Sequence, residues 1–203
     1  HAHYPSLSET ALRDDLSLMA ASFQRELGGV PNLFAFPYGE AGRADMAVVQ
    51  EAGFKAAFGQ HSGVAGSQNE RFYLPRFSMN EAFGGPDRFR LILNTIPLPV
   101  IYFAPAEPIL NTNPPSIKIR LARDVPNIEA LTCFGPGGTS LETDVNHREV
   151  SVTPTTVFPT GRARLNCTLR AGSVGRDVRW HWFGWQWVAG LASEGVPVHA
   201  RYR

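Results

Sequence analysis

Six prolines, Pro97, Pro99, Pro105, Pro108, Pro114 and Pro115, fall within nineteen positions of a 203-residue chain. Each fixes φ and removes a backbone donor, so neither a helix nor a central strand is expected there. The run reads as a bridge over residues 97–115. It joins a segment at 1–96 to one at 116–203, and the period of the apolar residues differs on its two sides.

Before the bridge the period is helical. Ser6-x-x-Glu9 has the form of a capping box, and Leu12, Leu16, Met19, Phe23 and Leu27 then recur every three or four residues. Gly28 and Gly29 stop that helix. A short apolar run, Asn32-Leu33-Phe34-Ala35-Phe36, reads as a buried strand that ends in Pro37-Tyr38-Gly39-Glu40. A second helix is expected from Arg43 to Ala52 and a strand from Lys55 to Phe58. A strand from Phe72 to Met79 and a helix from Pro86 to Ile96 follow. Helices alternating with short apolar strands predict βα units around a parallel sheet. About three such units are too few for a closed (β/α) barrel, which needs roughly 200 residues.

After the bridge the period is two. Ile117-Lys118-Ile119-Arg120-Leu121, Val150-Ser151-Val152 and Ala163-Arg164-Leu165-Asn166-Cys167 alternate, and glycine–proline clusters separate them. That pattern predicts an all-β, sandwich-like domain. Trp180 and Trp182 would share one strand face, and Trp185 and Trp187 the other unless Gly184 forms a bulge. Core packing is the plainer role for these rings, and stacking on sugars the alternative. Gln186, with Arg179, fits a half-exposed strand. Cys133 and Cys167 would pair in an oxidising compartment, or remain two buried thiols in the cytosol.

Hydrophobic residues make up 43% of the chain and charged residues 18%, which suits a packed core. The net charge is +1 with no basic run, so nucleic-acid binding has no electrostatic basis. No apolar stretch is long enough for a transmembrane helix. The chain starts His1-Ala2-His3 rather than with Met, as expected of a processed chain or a fragment.

Two features suggest chemistry. The Pro37-Tyr38-Gly39-Glu40 turn sits at the C-terminal end of a strand, where α/β folds bind ligands. Its Tyr38 N–H could serve as an oxyanion donor. Taken alone, the spacing favours an ordinary strand-to-helix connection. His1 and His3 precede a helix, a place suited to metal ligands, though alone they read as a frayed terminus. His61 follows a strand and could lie near the site, though a surface loop is the plainer reading; His147, His181 and His199 read as structural or exposed.

Together these features resemble the polysaccharide deacetylases of carbohydrate esterase family four. The resemblance covers residues 1–96. It rests on the histidines before Pro5-Ser6-Leu7-Ser8-Glu9, on Ala35-Phe36-Pro37-Tyr38-Gly39-Glu40, on Gln50-Glu51-Ala52-Gly53-Phe54-Lys55-Ala56-Ala57-Phe58, and on Leu74-Pro75-Arg76-Phe77. It implies a distorted, here partial, (β/α) barrel and a divalent metal, usually zinc, held by one Asp and two His. Metal-assisted hydrolysis of an N-acetylated polysaccharide would follow.

His3 matches the second histidine of the family's His-x-x-x-His motif, and His1 is the local alternative. Tyr38, between Pro37 and Gly39, matches the oxyanion donor, with Phe36, Glu40 and Arg76 at substrate-binding positions. Ala35 stands where the family usually has Arg. The paired Asp residues and the late Leu-x-His motif have no match, so the general base and the general acid are unassigned. The substrate class implies export. Two other readings are a non-catalytic glycan-binding remnant and a chain completed by a separate N-terminal portion. A serine α/β hydrolase is disfavoured because no Gly-x-Ser-x-Gly elbow occurs.

Overall fold

A computed structural model describes residues 1–190. Pro5 opens a short 3-10 turn, Tyr4–Ser6, ahead of helix α1, Glu9–Leu27. Ser8, rather than Ser6, is the N-cap, and its Oγ accepts from the Ala11 N–H at 3.2 Å. Ser6 is spent in the preceding turn, where its Oγ donates to the His3 carbonyl. Gly28 closes the helix at φ +73°. Leu12 and Leu16 are buried, but Leu27 is exposed, so only the first part of the apolar stripe is covered.

Strand β1, Leu33–Ala35, leads through the turn Pro37–Gly39 to helix α2, Arg43–Glu51. Strand β2, Ala56–Phe58, lies parallel to β1, with Phe34 opposite Ala57. The strand expected over 72–79 reduces to one parallel bridge, Leu74 to Phe58. Pro75 lacks the N–H that would carry the ladder further. Helix α3, Pro86–Leu93, ends this region.

The remaining strands form one eight-stranded sheet. They are β3 Thr95–Pro97, β4 Val100–Ala104, β5 Ile117–Leu121, β6 Thr132–Phe134, β7 Ser140–Asn146, β8 Glu149–Thr153, β9 Gly161–Val174 and β10 Asp177–Ala189. Their order is β3-β10-β9-β6-β7-β8-β5-β4, and only the β3–β10 pair is parallel. The architecture is therefore mixed α/β with a substantial sheet. Two facing sheets were the expectation; a single curled sheet is found. The reason lies in β7, whose first residues pair with β6 and whose remainder pairs with β8, so both halves share one strand.

The proline-rich stretch is more than a bridge. It holds β4, fitted between Pro99 and Pro105 at the sheet edge, where missing donors cost least. β3 and β4 occupy opposite ends of the strand order, yet only Leu98 and Pro99 separate them. Three peptide steps span at most about 11 Å, so the sheet must curl until its two edges lie close together.

Cys133 and Cys167 are directly opposed on β6 and β9 and form a disulfide. The β9–β10 register is regular through Gly184 and shifts between Val178 and Trp180 instead. Trp185 and Trp187 are buried, whereas Trp180 and Trp182 are half-buried. One contiguous cluster of buried side chains joins the helical region to the sheet, from Tyr4 and Leu12 to Trp187 and Ala189.

Candidate functional site

The Pro37–Gly39 turn is unusual in its backbone. Tyr38 has φ +57° and Gly39 φ +69°, two successive left-handed residues. For a tyrosine this conformation costs on the order of 1–3 kcal/mol and persists only where the surroundings impose it. At Gly39 the reason is steric, because a Cβ would lie 2.3 Å from the backbone nitrogen of Gln60. The N–H groups of Gly39 and Glu40 close the turn on the carbonyls of Phe36 and Pro37.

Strand β10 holds the turn from below. Gln186, fully buried, donates through Nε2 to the carbonyls of Tyr38 (3.2 Å) and Gly39 (2.8 Å). Its Oε1 accepts from Arg164 Nε at 3.0 Å. The Tyr73 hydroxyl donates to the Gly39 carbonyl at 2.8 Å. Burial pushes the Tyr73 phenol well above its ordinary pKa, so it stays a neutral donor. Gln186 is thus no half-exposed strand residue; the turn covers it.

His3 comes to the same place. Its ring stacks on Tyr38, with centroids 4.5 Å apart and planes inclined by 13°. Its Nδ1 lies 2.5 Å from Oε2 of Glu40. Glu40 is 1% exposed, and its other oxygen, 3.7 Å from Arg162 Nε, has no hydrogen-bond partner among the described residues. The Arg162 guanidinium also sits 5.7 Å from the Tyr38 ring. Arg162, at the start of β9, was missed from sequence; the only signal was its place in the alternating Gly161-Arg162-Ala163-Arg164 run. His1 lies edge-on to Tyr38 at 6.5 Å. Phe36 is buried against Tyr4, Phe34 and Tyr73 as a core residue beneath the turn.

Arg76 has a different setting. Its Nε donates to the Gly59 carbonyl at 2.9 Å, and its N–H to the His61 carbonyl, so it holds the segment after β2. His61 is a correction to the surface-loop reading, being 1% exposed between Tyr73 and Trp185. Burial, with Arg164 and Arg76 nearby, drives its pKa down to about 3, so the ring is neutral. Neither ring nitrogen has a hydrogen-bond partner among the described residues. His181 is structural, its Nδ1 3.0 Å from the Pro97 carbonyl. His147 is exposed in the β7–β8 turn. His199 lies outside the described residues.

The fit to a metal is partial. With Nδ1 of His3 on a carboxylate, ligation would run through Nε2, the arrangement in which an outer carboxylate orients a ligand histidine. Among the described residues, however, no group of three or more His, Cys, Asp or Glu is arranged to hold a metal ion. No helix in the same residues is long and apolar enough to cross a membrane. No protein-family model, curated protein or solved structure matches the chain.

Proposed function

We propose that this chain carries one side of a site that hydrolyses the acetamide of an N-acetylated polysaccharide with a divalent metal, zinc by the resemblance. One observation carries the reading. His3 and the Tyr38 turn, far apart in sequence, converge so that one ring stacks on the other and Glu40 anchors the histidine. On this reading α1, α2 and the parallel pair β1–β2 are part of a distorted (β/α) barrel.

The chain's own residues would do three things. Glu40 orients His3. Gln186, Tyr73 and Gly39 fix the left-handed turn so that the Tyr38 N–H can meet a developing oxyanion without reorganising. Tyr38, about one-third exposed, holds His3 stacked on its ring and the Arg162 guanidinium over it, which keeps both basic groups at the turn. A bound metal would polarise the amide carbonyl. Its remaining ligands and the general base would come from polypeptide outside the described residues. The substrate class carries export with it, and the Cys133–Cys167 disulfide suits an oxidising compartment.

The test is acetate release from N-acetylglucosamine oligomers by the full-length protein supplied with zinc, beside its zinc content. Release that disappears in His3→Ala, together with lost zinc, is expected. No release by the zinc-supplied protein, or zinc content and release unchanged in His3→Ala, would sink the reading.

A further inference from the structure

Glu40 poses a charge problem that the turn alone does not solve. One carboxylate oxygen, Oε2, lies 2.5 Å from Nδ1 of His3. The other, Oε1, is shut off from solvent and accepts no hydrogen bond among the described residues. A carboxylate buried so deeply needs a positive neighbour to offset its lost hydration.

Apart from the His3 ring, one ion-pair partner supplies that charge among the described residues. Arg162, the second residue of β9, brings Nε to 3.7 Å from Oε1. At that separation the contact is an ion pair rather than a hydrogen bond. The Arg162 side chain is 39% exposed, and its Nη1 donates to Oε1 of Gln60 at 3.3 Å. Arg164 lies two residues on, along the same strand face. Its Nε and Nη2 donate to the side-chain oxygens of Gln186 and Gln60 instead. The two arginines therefore divide the turn between them. Arg164 braces Gln186 beneath it, and Arg162 faces the carboxylate of Glu40.

We infer that Arg162 is a positioning residue for His3. It holds the Glu40 carboxylate in place, and the carboxylate keeps the ring proton of His3 on Nδ1, which leaves the Nε2 lone pair for a divalent cation. A histidine bound to a carboxylate through one nitrogen offers the other as ligand. The purpose of this arrangement rests on the proposed hydrolytic site; its geometry does not. It also reaches past residues 1–96, where the deacetylase resemblance ends, because Arg162 belongs to the sheet. The sheet is then part of the site rather than an appended module.

The test has two arms. In chelator-treated protein with isotope-labelled histidine, nitrogen NMR at alkaline pH reads the tautomer of His3, whose signal is assigned by its loss in His3→Ala. The wild-type ring is expected to carry its proton on Nδ1. In Arg162→Gln it should shift toward the Nε2–H form, which free histidine prefers. Arg162→Lys restores the charge and should recover the Nδ1–H form. Gln60→Ala removes the other partner of the guanidinium and should leave the tautomer in place. The second arm is zinc affinity by chelator competition. It should fall roughly 10-fold in Arg162→Gln, the low end for an outer partner of a ligand because the side chain is half-exposed, and stay near wild type in Arg162→Lys. A wild-type ring protonated at Nε2 would overturn the inference. So would an unchanged tautomer or an unchanged zinc affinity in Arg162→Gln, or equal losses in Arg162→Lys or Gln60→Ala. A wild-type protein that binds no zinc but shows the tautomer shift would remove the hydrolytic reading and leave Arg162 in its positioning role.

Discussion

The side chain of Gln186 donates a hydrogen bond to the carbonyl of Gly39, at 2.8 Å and across 147 positions of sequence. The sheet thereby holds a turn that the helical region alone would leave under strain. Replacing Gln186 with Leu would strip the Tyr38 carbonyl and Arg164 Nε of this partner and leave the buried Gly39 carbonyl with Tyr73 alone. The expected loss is about 2–4 kcal/mol in urea unfolding. A loss below 0.5 kcal/mol would show that the turn needs no support from β10.

Gly39→Ala tests the turn from the other side. The new Cβ meets the Gln60 backbone at 2.3 Å, at a φ that alanine disfavours. We expect a loss of at least about 2 kcal/mol, read from the unfolding midpoint at constant slope. Gly28→Ala is the comparison: its φ is similar, but no atom lies within 4 Å of the added methyl, so it should cost less.

His61 makes stability depend on pH. Its folded pKa, about 3, lies below the ordinary histidine value of about 6.5, so the unfolded chain takes up the proton first. The stabilisation is complete above pH 7 and is lost as pH falls from about 6.5 towards 3. Between pH 7 and pH 5 this residue should remove about 2 kcal/mol. In His61→Leu that part of the pH dependence should vanish. An unchanged slope would assign it to other groups.

The disulfide closes a loop with a sequence separation of 34. Chain entropy assigns such a link about 3–4 kcal/mol. Thermal unfolding with and without reductant should differ accordingly, and Cys133→Ala/Cys167→Ala should match the reduced protein.

Local structure was legible where local forces decide it. The 3.6-residue stripe gave α1, the apolar run before Pro37 gave β1, and the alternation in 117–121 gave β5, whose residues are buried and exposed by turns. The site was legible as far as His3 and Tyr38, because motif order along the chain marks them. Three things were hidden because distant strands create them. His61 looks like a loop residue until Tyr73 and Trp185 enclose it. Gln186 looks half-exposed until the turn lands on it. Arg162 is one of two alternating arginines, and only the folded sheet places it beside Glu40. Likewise the prolines signalled interruption, but not that an edge strand fits between two of them.

The short Leu98–Pro99 link between the sheet's two outermost strands bears on solubility. An open sheet presents two rows of unpaired peptide groups, each a template for another copy of the chain. Here one short stretch supplies both rims, lined by Pro97, Pro99 and Pro105, which cannot donate to an incoming strand. Proline thus protects the rims from intermolecular pairing, and replacing Pro99 or Pro105 should show first as aggregation rather than as lost fold.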